Sequence, residues 1–226
     1  MEYVCGGYFL TKRSGCRVPG TNFVTLSPNH TYFFPDSWAI SWVGETDIER
    51  FHCATALGIP ESTLPSLIAR VTSEFDAGTF GWPNVMPTLA ATQTMLRLLP
   101  WSPEWLLLAF GIAGDDLGGV LAANAPPPTR PGFAPTGAGG IFEVLSRRVP
   151  LEPGFDPIGF DALQISFGFV DETIMDYQLP AIGYNGAVTT DGLLPDYEAA
   201  RTVGALLGTP DRAFTAAIIV SYDPYG

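Results

Sequence analysis

Lysine is nearly missing from this chain. Lys12 is the only one among 11 basic residues, which face 23 Asp and Glu and leave a formal net charge of −12 over 226 residues. So acidic a chain lacks the basic patch that grips nucleic-acid phosphates. It also lacks the polybasic segment that docks on anionic lipid. Cysteine and histidine are scarce, at three and two residues, and an odd, sparse set of cysteines is no disulfide framework. Long apolar runs are missing too. The longest, residues 105–112 with Gly111 inside it, falls far short of the roughly 20 residues that cross a bilayer. The first ten residues, MEYVCGGYFL, have neither the basic opening nor the apolar stretch of a secretory signal. Cytoplasm is therefore the expected compartment. No internal repeat occurs, and heptads would not survive 25 Gly and 21 Pro.

What is present is apolar and rich in turns. At 46% hydrophobic and 12% aromatic residues, the chain has the means to bury a core and is not a disordered tail. Around Gly6-Gly7, the β-favouring Tyr3, Val4, Tyr8, Phe9 and Leu10 predict a strand with a bulge or bend. Residues 23–26 and 31–34 read as short strands. Thr46-Asp47-Ile48-Glu49 is a capping box that predicts a helix over 46–57, ended by Gly58. A second helix is expected over 63–76, where Leu64, Leu67, Ile68, Val71 and Phe75 repeat at helical period behind Pro65. A third is expected over 87–99, with Leu89, Met95, Leu96 and Leu99 toward the core.

The apolar run 104–112 predicts a central buried strand, although its periodicity also fits a short buried helix. Residues 125–140 carry five prolines and four glycines in sixteen positions. That composition excludes helix and interior strand and predicts a mobile loop. Beyond it, 141–145 and 158–167 read as strands, Asp191-Gly192 as a turn and 197–207 as a helix with Asp196 at its N-terminus. Residues 213–222 read as a closing strand. The sum is one α+β domain over 1–226, a mostly antiparallel sheet with helices packed on one face.

The residues that carry chemistry form no recognised site. Cys5, Cys16, His30, His52 and Cys53 are the whole complement of Cys and His, and none stands in a C-x-x-C or H-E-x-x-H spacing. Metal and cofactor are thus not expected. Cys16, among Lys12, Arg13 and Arg17, is the one thiol in a basic stretch where a thiolate would be favoured. No G-x-S-x-G elbow marks a serine nucleophile. Gly137-Ala138-Gly139-Gly140 leads into an expected strand, whereas a phosphate cradle must lead into a helix. Paired carboxylates remain: Asp115-Asp116, read most simply as helix N-terminal charges, and Asp171, Glu172 and Asp176, read as a solvated face or an acid/base site. No catalytic residue is assigned.

The acid is unevenly spread. Residues 1–33 carry a net of +2 and residues 149–226 a net of −9. Such a bias keeps a protein soluble, and it can also meet a basic partner. Gly159-Phe160-Asp161-Ala162-Leu163 and Gly192-Leu193-Leu194-Pro195-Asp196-Tyr197-Glu198-Ala199-Ala200 form strand, turn and acidic-helix segments. In these the chain resembles stand-alone bacterial toxin-immunity proteins. The resemblance implies a protein that neutralises a toxin by occluding it and performs no reaction. The partner-binding residues expected are Asp171, Glu172, Asp176, Asp191, Asp196 and Glu198, with a basic protein, such as a cognate toxin, as the partner. The alternative is a small-molecule enzyme using carboxylates or the Cys16 region in a pocket the sequence does not locate. A structural or phage-encoded interaction protein is a third reading.

Limited proteolysis tests the loop. A protease of broad specificity is expected to cut first near Arg130, because Pro-rich segments rarely carry buried backbone hydrogen bonds. Protection there under mild digestion would mean the segment is docked.

Overall fold

A computed structural model describes residues 1–12, 16–17, 24–25, 59–76, 86–123, 141–166, 169–174, 177–210 and 212–223. The expected helix over 46–57, the strand over 31–34 and the loop 125–140 lie outside these residues. In the main sheet, β1 (Tyr3–Lys12) pairs with β4 (Trp105–Ala113), β4 with β7 (Phe214–Tyr222), β7 with β5 (Asp156–Ser166), and β5 with β6 (Phe169–Glu172). Every pairing is antiparallel. A separate two-residue ladder joins β2 (Cys16–Arg17) and β3 (Val24–Thr25). The helices described are α1 (Leu64–Asp76), α2 (Leu89–Leu98), α3 (Gly114–Ala123), α4 (Ile141–Ser146) and α5 (Tyr197–Leu207). The α+β class and the antiparallel sheet are as expected.

The helices cover both faces of the sheet, which corrects the expectation of one. Residues directly opposite across a ladder share a face, and neighbours along a strand alternate. Tyr8, Leu10, Leu107, Ala109, Ile218 and Val220 therefore point one way, and they pack against α1 and α2 through Leu64, Leu67, Ala91 and Met95. Ala162 and Ala216 continue that face under Ala200, Val203 and Leu207 of α5. Phe9, Leu108, Phe110, Ile112, Leu163, Ala217 and Ile219 point the other way. They meet Leu117 and Val120 of α3 and Ile141 and Leu145 of α4. Double coverage explains why β4 and β7 are continuous apolar runs instead of alternating ones.

The second correction concerns 141–145. These residues are helical, because Ile141, Val144 and Leu145 are buried at i, i+3 and i+4, the spacing of one helix face. The segment was too short for composition to decide. Where signals were longer the elements match: α1 begins at Leu64 with Leu64 and Leu67 buried and Ser66, Ala69 and Arg70 exposed. α2 starts behind Thr88, whose hydroxyl accepts from the Ala91 N–H at 3.1 Å.

Three register shifts interrupt the main sheet; one lies between Gln164 and Ile165, and the other two involve glycine. Of these two, one falls in β1 between Cys5 and Gly7, at the glycine pair read from the sequence. A Cβ on Gly6 would enter the Phe110 ring, so the bulge and the ring require glycine there. The other falls in β5 between Pro157 and Gly159, which accommodates a proline that an ordinary ladder position would not. A Cβ on Gly159, at φ +157°, would lie 2.6 Å from Leu193 Cβ. Short segments engage the edge of β1 and the part of β5 that β6 does not reach. Cys5 N–H donates to Val149 O (2.8 Å), Tyr8 exchanges both bonds with Met86, and Phe160 exchanges both with Leu194. Unpaired strand edges invite association, and these contacts reduce that exposure.

Neighbouring residues of β4 test the double coverage, since Leu107 and Leu108 are both fully buried on opposite faces. Leu107→Ala and Leu108→Ala are each expected to cost about 2–5 kcal/mol in denaturant unfolding. A loss under about 0.5 kcal/mol at either, the level of a surface change, would show that face uncovered.

Candidate functional site

Of the six carboxylates expected to bind a partner, four have described side chains, Glu172, Asp191, Asp196 and Glu198, and they stand at different places in the fold. Glu172, at the end of β6, accepts from Arg212 and from the Tyr177 hydroxyl, so its charge is compensated. Arg212 follows the C-terminus of α5. Asp196 caps the N-terminus of the same helix, accepting from the Ala199 N–H at 2.8 Å, and Glu198 stands in its first turn. Eleven residues of helix separate the two ends, about 16 Å at 1.5 Å per residue. Asp191 is half-buried in the turn ahead of α5, where Gly192 takes φ +71°. The side chains of Asp171 and Asp176 lie outside the described residues. Asp161 is fully buried and accepts from the Ile174 N–H at 3.1 Å, so it ties the chain after β6 to β5.

A different grouping arises where the N-termini of α3 and α5 meet. β4 passes straight into α3, whose first residue, Gly114, donates its N–H to Glu2 O at 3.0 Å. Asp115 and Asp116 fill the first turn of α3, the favoured place for negative charge. Across 81 residues of sequence, the Tyr197 hydroxyl donates to Asp116 Oδ2 at 2.5 Å. That is the length of a charge-assisted O–H···O⁻ bond. α3 lies on one face of the sheet and α5 on the other, so this bond clasps the two layers over the strand ends. Asp116 bonds to Tyr197 and Glu198 adds its charge to the same phenol, while Asp115 and Asp196 are the residues that precede Asp116 and Tyr197 in the chain.

Aromatic rings extend this surface inward. Phe160 lies 6.4 Å from the Tyr3 ring and 6.4 Å from the Tyr197 ring, edge-on to the latter. The Arg201 guanidinium sits over Tyr197, 5.9 Å from its centroid, within cation–π range. The tyrosines record the local field. Partial burial, then the bond and charge of Asp116, push Tyr197 up to about 12 despite the opposing Arg201. Tyr3 is raised by burial and by Asp116, and Tyr184 by burial and by Asp196. Each phenol stays protonated at neutral pH, and two donate: Tyr197 to Asp116 and Tyr184 to Ala187 O.

Asp115-Asp116 was legible as a helix-start pair, and the structure places it there. The part played by Tyr197 was not, because a tyrosine at a first helical position carries no mark of a partner 81 residues away. The nucleophile candidates fare differently. Cys5 is a buried free thiol pushed up by burial, the opposite of an activated thiolate. Cys16 has only its backbone described, and His30, His52 and Cys53 lie outside the described residues. Among the described residues no group of three or more His, Cys, Asp or Glu is placed to hold a metal ion, and no helix is long and apolar enough to cross a membrane. Gly137–Gly140 are likewise outside, but the segment after them is a six-residue helix and not the expected strand. Comparison with protein-family models, with curated proteins and with solved structures finds no match.

Tyr197→Phe tests the clasp. Loss of one hydrogen bond to a half-exposed carboxylate is expected to cost about 0.5–1.5 kcal/mol at neutral pH. A raised phenol favours its protonated form in the fold, so this contribution is complete below pH 10 and disappears as pH rises toward 12. Unfolding free energies of wild type and Tyr197→Phe should therefore converge over that window. A difference that stayed constant across it would show that the fold does not raise this phenol, and no difference at neutral pH would show that the bond adds nothing to stability.

Proposed function

We propose that the protein acts by binding and catalyses no reaction, and that it occludes a basic protein partner in the manner of a toxin-immunity protein. The observation that carries the reading is the clasp of Tyr197 on Asp116. It joins the carboxylate-bearing N-termini of α3 and α5, with Glu198 also acting on the phenol and Arg201 set over the ring. Capping explains Asp196, and the helix dipole explains Asp115 and Glu198 separately. Neither accounts for the bond between Asp116 and Tyr197.

Chemistry supports a protein as the occupant. Tyrosine and arginine are the residues on which interface binding energy concentrates. A carboxylate cluster steers a cationic partner and raises association rates by roughly 10- to 1000-fold. An acidic surface of this kind resembles the active-site cleft of a nucleic-acid-cutting or otherwise basic toxin in reverse sign, which is how occlusion would work. The uneven acidity of the chain, a net of −9 over residues 149–226, agrees with it.

Co-expression with the product of the adjacent gene, then purification, gives the candidate complex. Its association kinetics are then followed across a salt series for wild type and for Asp115→Lys with Glu198→Lys. Both residues are exposed, and reversal at a helix N-terminus costs about 0.3–1 kcal/mol each, which leaves the fold intact. The double variant is expected to associate more slowly at low salt, with the gap closing at high salt. Rates indifferent to both salt and charge would remove this surface from the function.

A further inference from the structure

The loop between the short 3-10 turn Leu179–Ile182 and α5 contains Asn185-Gly186, the single Asn-Gly pair in the sequence. Both residues are exposed. The loop is pinned at its two ends. Tyr184 N–H donates to Leu179 O at 2.9 Å, and Thr189 N–H donates to Leu193 O at 2.7 Å. Between these pins, among the described residues, neither Asn185 nor Gly186 gives or receives a backbone hydrogen bond. The tie across the interval is the Tyr184 hydroxyl to Ala187 O, at 3.2 Å.

This arrangement leaves the Gly186 nitrogen without a carbonyl to hold it. With no Cβ on Gly186, nothing screens that nitrogen from the Asn185 side-chain carbonyl carbon. A Cβ at 186 would meet the far end of the Tyr184 side chain, at its hydroxyl. Asparagine in such settings is a thermolabile side chain.

We propose that Asn185 is a site of spontaneous covalent modification, in which the Gly186 backbone nitrogen attacks Asn185 Cγ and the side-chain amide departs as ammonia. The new N–Cγ bond closes a five-membered succinimide as the Cγ–Nδ2 bond breaks. The proton lost from the backbone nitrogen passes through solvent to the departing amide. Water then opens the ring at either carbonyl and leaves aspartate or isoaspartate at position 185. One water is consumed, one ammonia is released and nothing is oxidised or reduced. Each event adds one negative charge beside Tyr184, whose phenol already feels the Asp196 carboxylate. The acidity of this end of the molecule would then rise with its age.

The purified full-length chain is held at mildly alkaline pH below its melting temperature, alongside Asn185→Gln and a synthetic peptide spanning residues 179–193. Peptide mapping and isoaspartyl methyltransferase labelling read the product. The other asparagines precede Phe23, His30, Val85 and Ala125, so the maps separate them. Label is expected to accumulate at position 185 in the folded chain at a rate comparable with the free peptide, and to be lost in Asn185→Gln. If the peptide reacts while Asn185 in the folded chain stays an amide, the loop holds the pair out of reach and the proposal fails.

Discussion

Burial of β4 on both faces is the constraint from which the rest of the architecture follows. Seven of its nine residues run buried without a break from Leu107 to Ala113, and Trp105 is buried ahead of them. A strand so placed cannot alternate apolar and polar side chains, and it needs a layer above and a layer below. α1, α2 and α5 supply one layer, and α3 and α4 the other. The small residues inside β4 set how closely those layers approach. Gly111 leaves room for Leu151, whose Cδ1 lies 2.6 Å from where a Cβ would be, with Tyr3 and Ile218 beside it. Tyr3, which borders the carboxylate surface, is thus positioned by a glycine in the central strand.

Two layers on one sheet also create a structural problem at the strand ends, where nothing in the sheet itself joins them. The Asp116–Tyr197 bond answers it between residues that already have local duties, one in the first turn of α3 and one in the first turn of α5. Both helix N-termini carry carboxylates because their dipoles favour them. Bringing the two ends together therefore concentrates negative charge, and the hydroxyl of Tyr197 moderates the cost. A binding surface of this kind grows out of the same contacts that close the fold.

Much of this was legible in the sequence, and the pattern of misses is physical. The β1 bulge could be read because Gly6-Gly7 interrupts β-favouring residues, and α1 and α5 because their stripes or caps extend over three turns. The helix α4 could not, since six residues of any apolar composition fit strand or helix alike. The one-face expectation failed on a signal that was present: continuous apolar runs at 105–113 and 216–220 mean coverage on both sides. For the surface, sequence proximity did not say which charges are already compensated. Asp171, Glu172 and Asp176 stand close to one another in sequence, yet Glu172 is committed to Arg212 and Tyr177. The carboxylates that join Asp196 and Glu198 come from 81 residues away, a pairing that only the order of the strands determines.

Strand order also restricts how a partner can engage. On β1, Tyr3, Cys5 and Tyr8 already bond to Leu151, Val149 and Met86, and on β5 Phe160 bonds to Leu194. A partner that added a strand at these positions would first have to displace those bonds. Both faces are likewise occupied by helices. Under the proposed binding function, recognition away from the β6 edge would fall to side chains on helix ends and loops, where charge and hydroxyl donors decide specificity and encounter rate more than buried apolar area does. A surface built from Asp115, Asp116, Tyr197 and Glu198 is of that kind. Its geometry depends on the two-layer packing beneath it, so substitutions deep in β4 should alter recognition without touching a single residue of the surface.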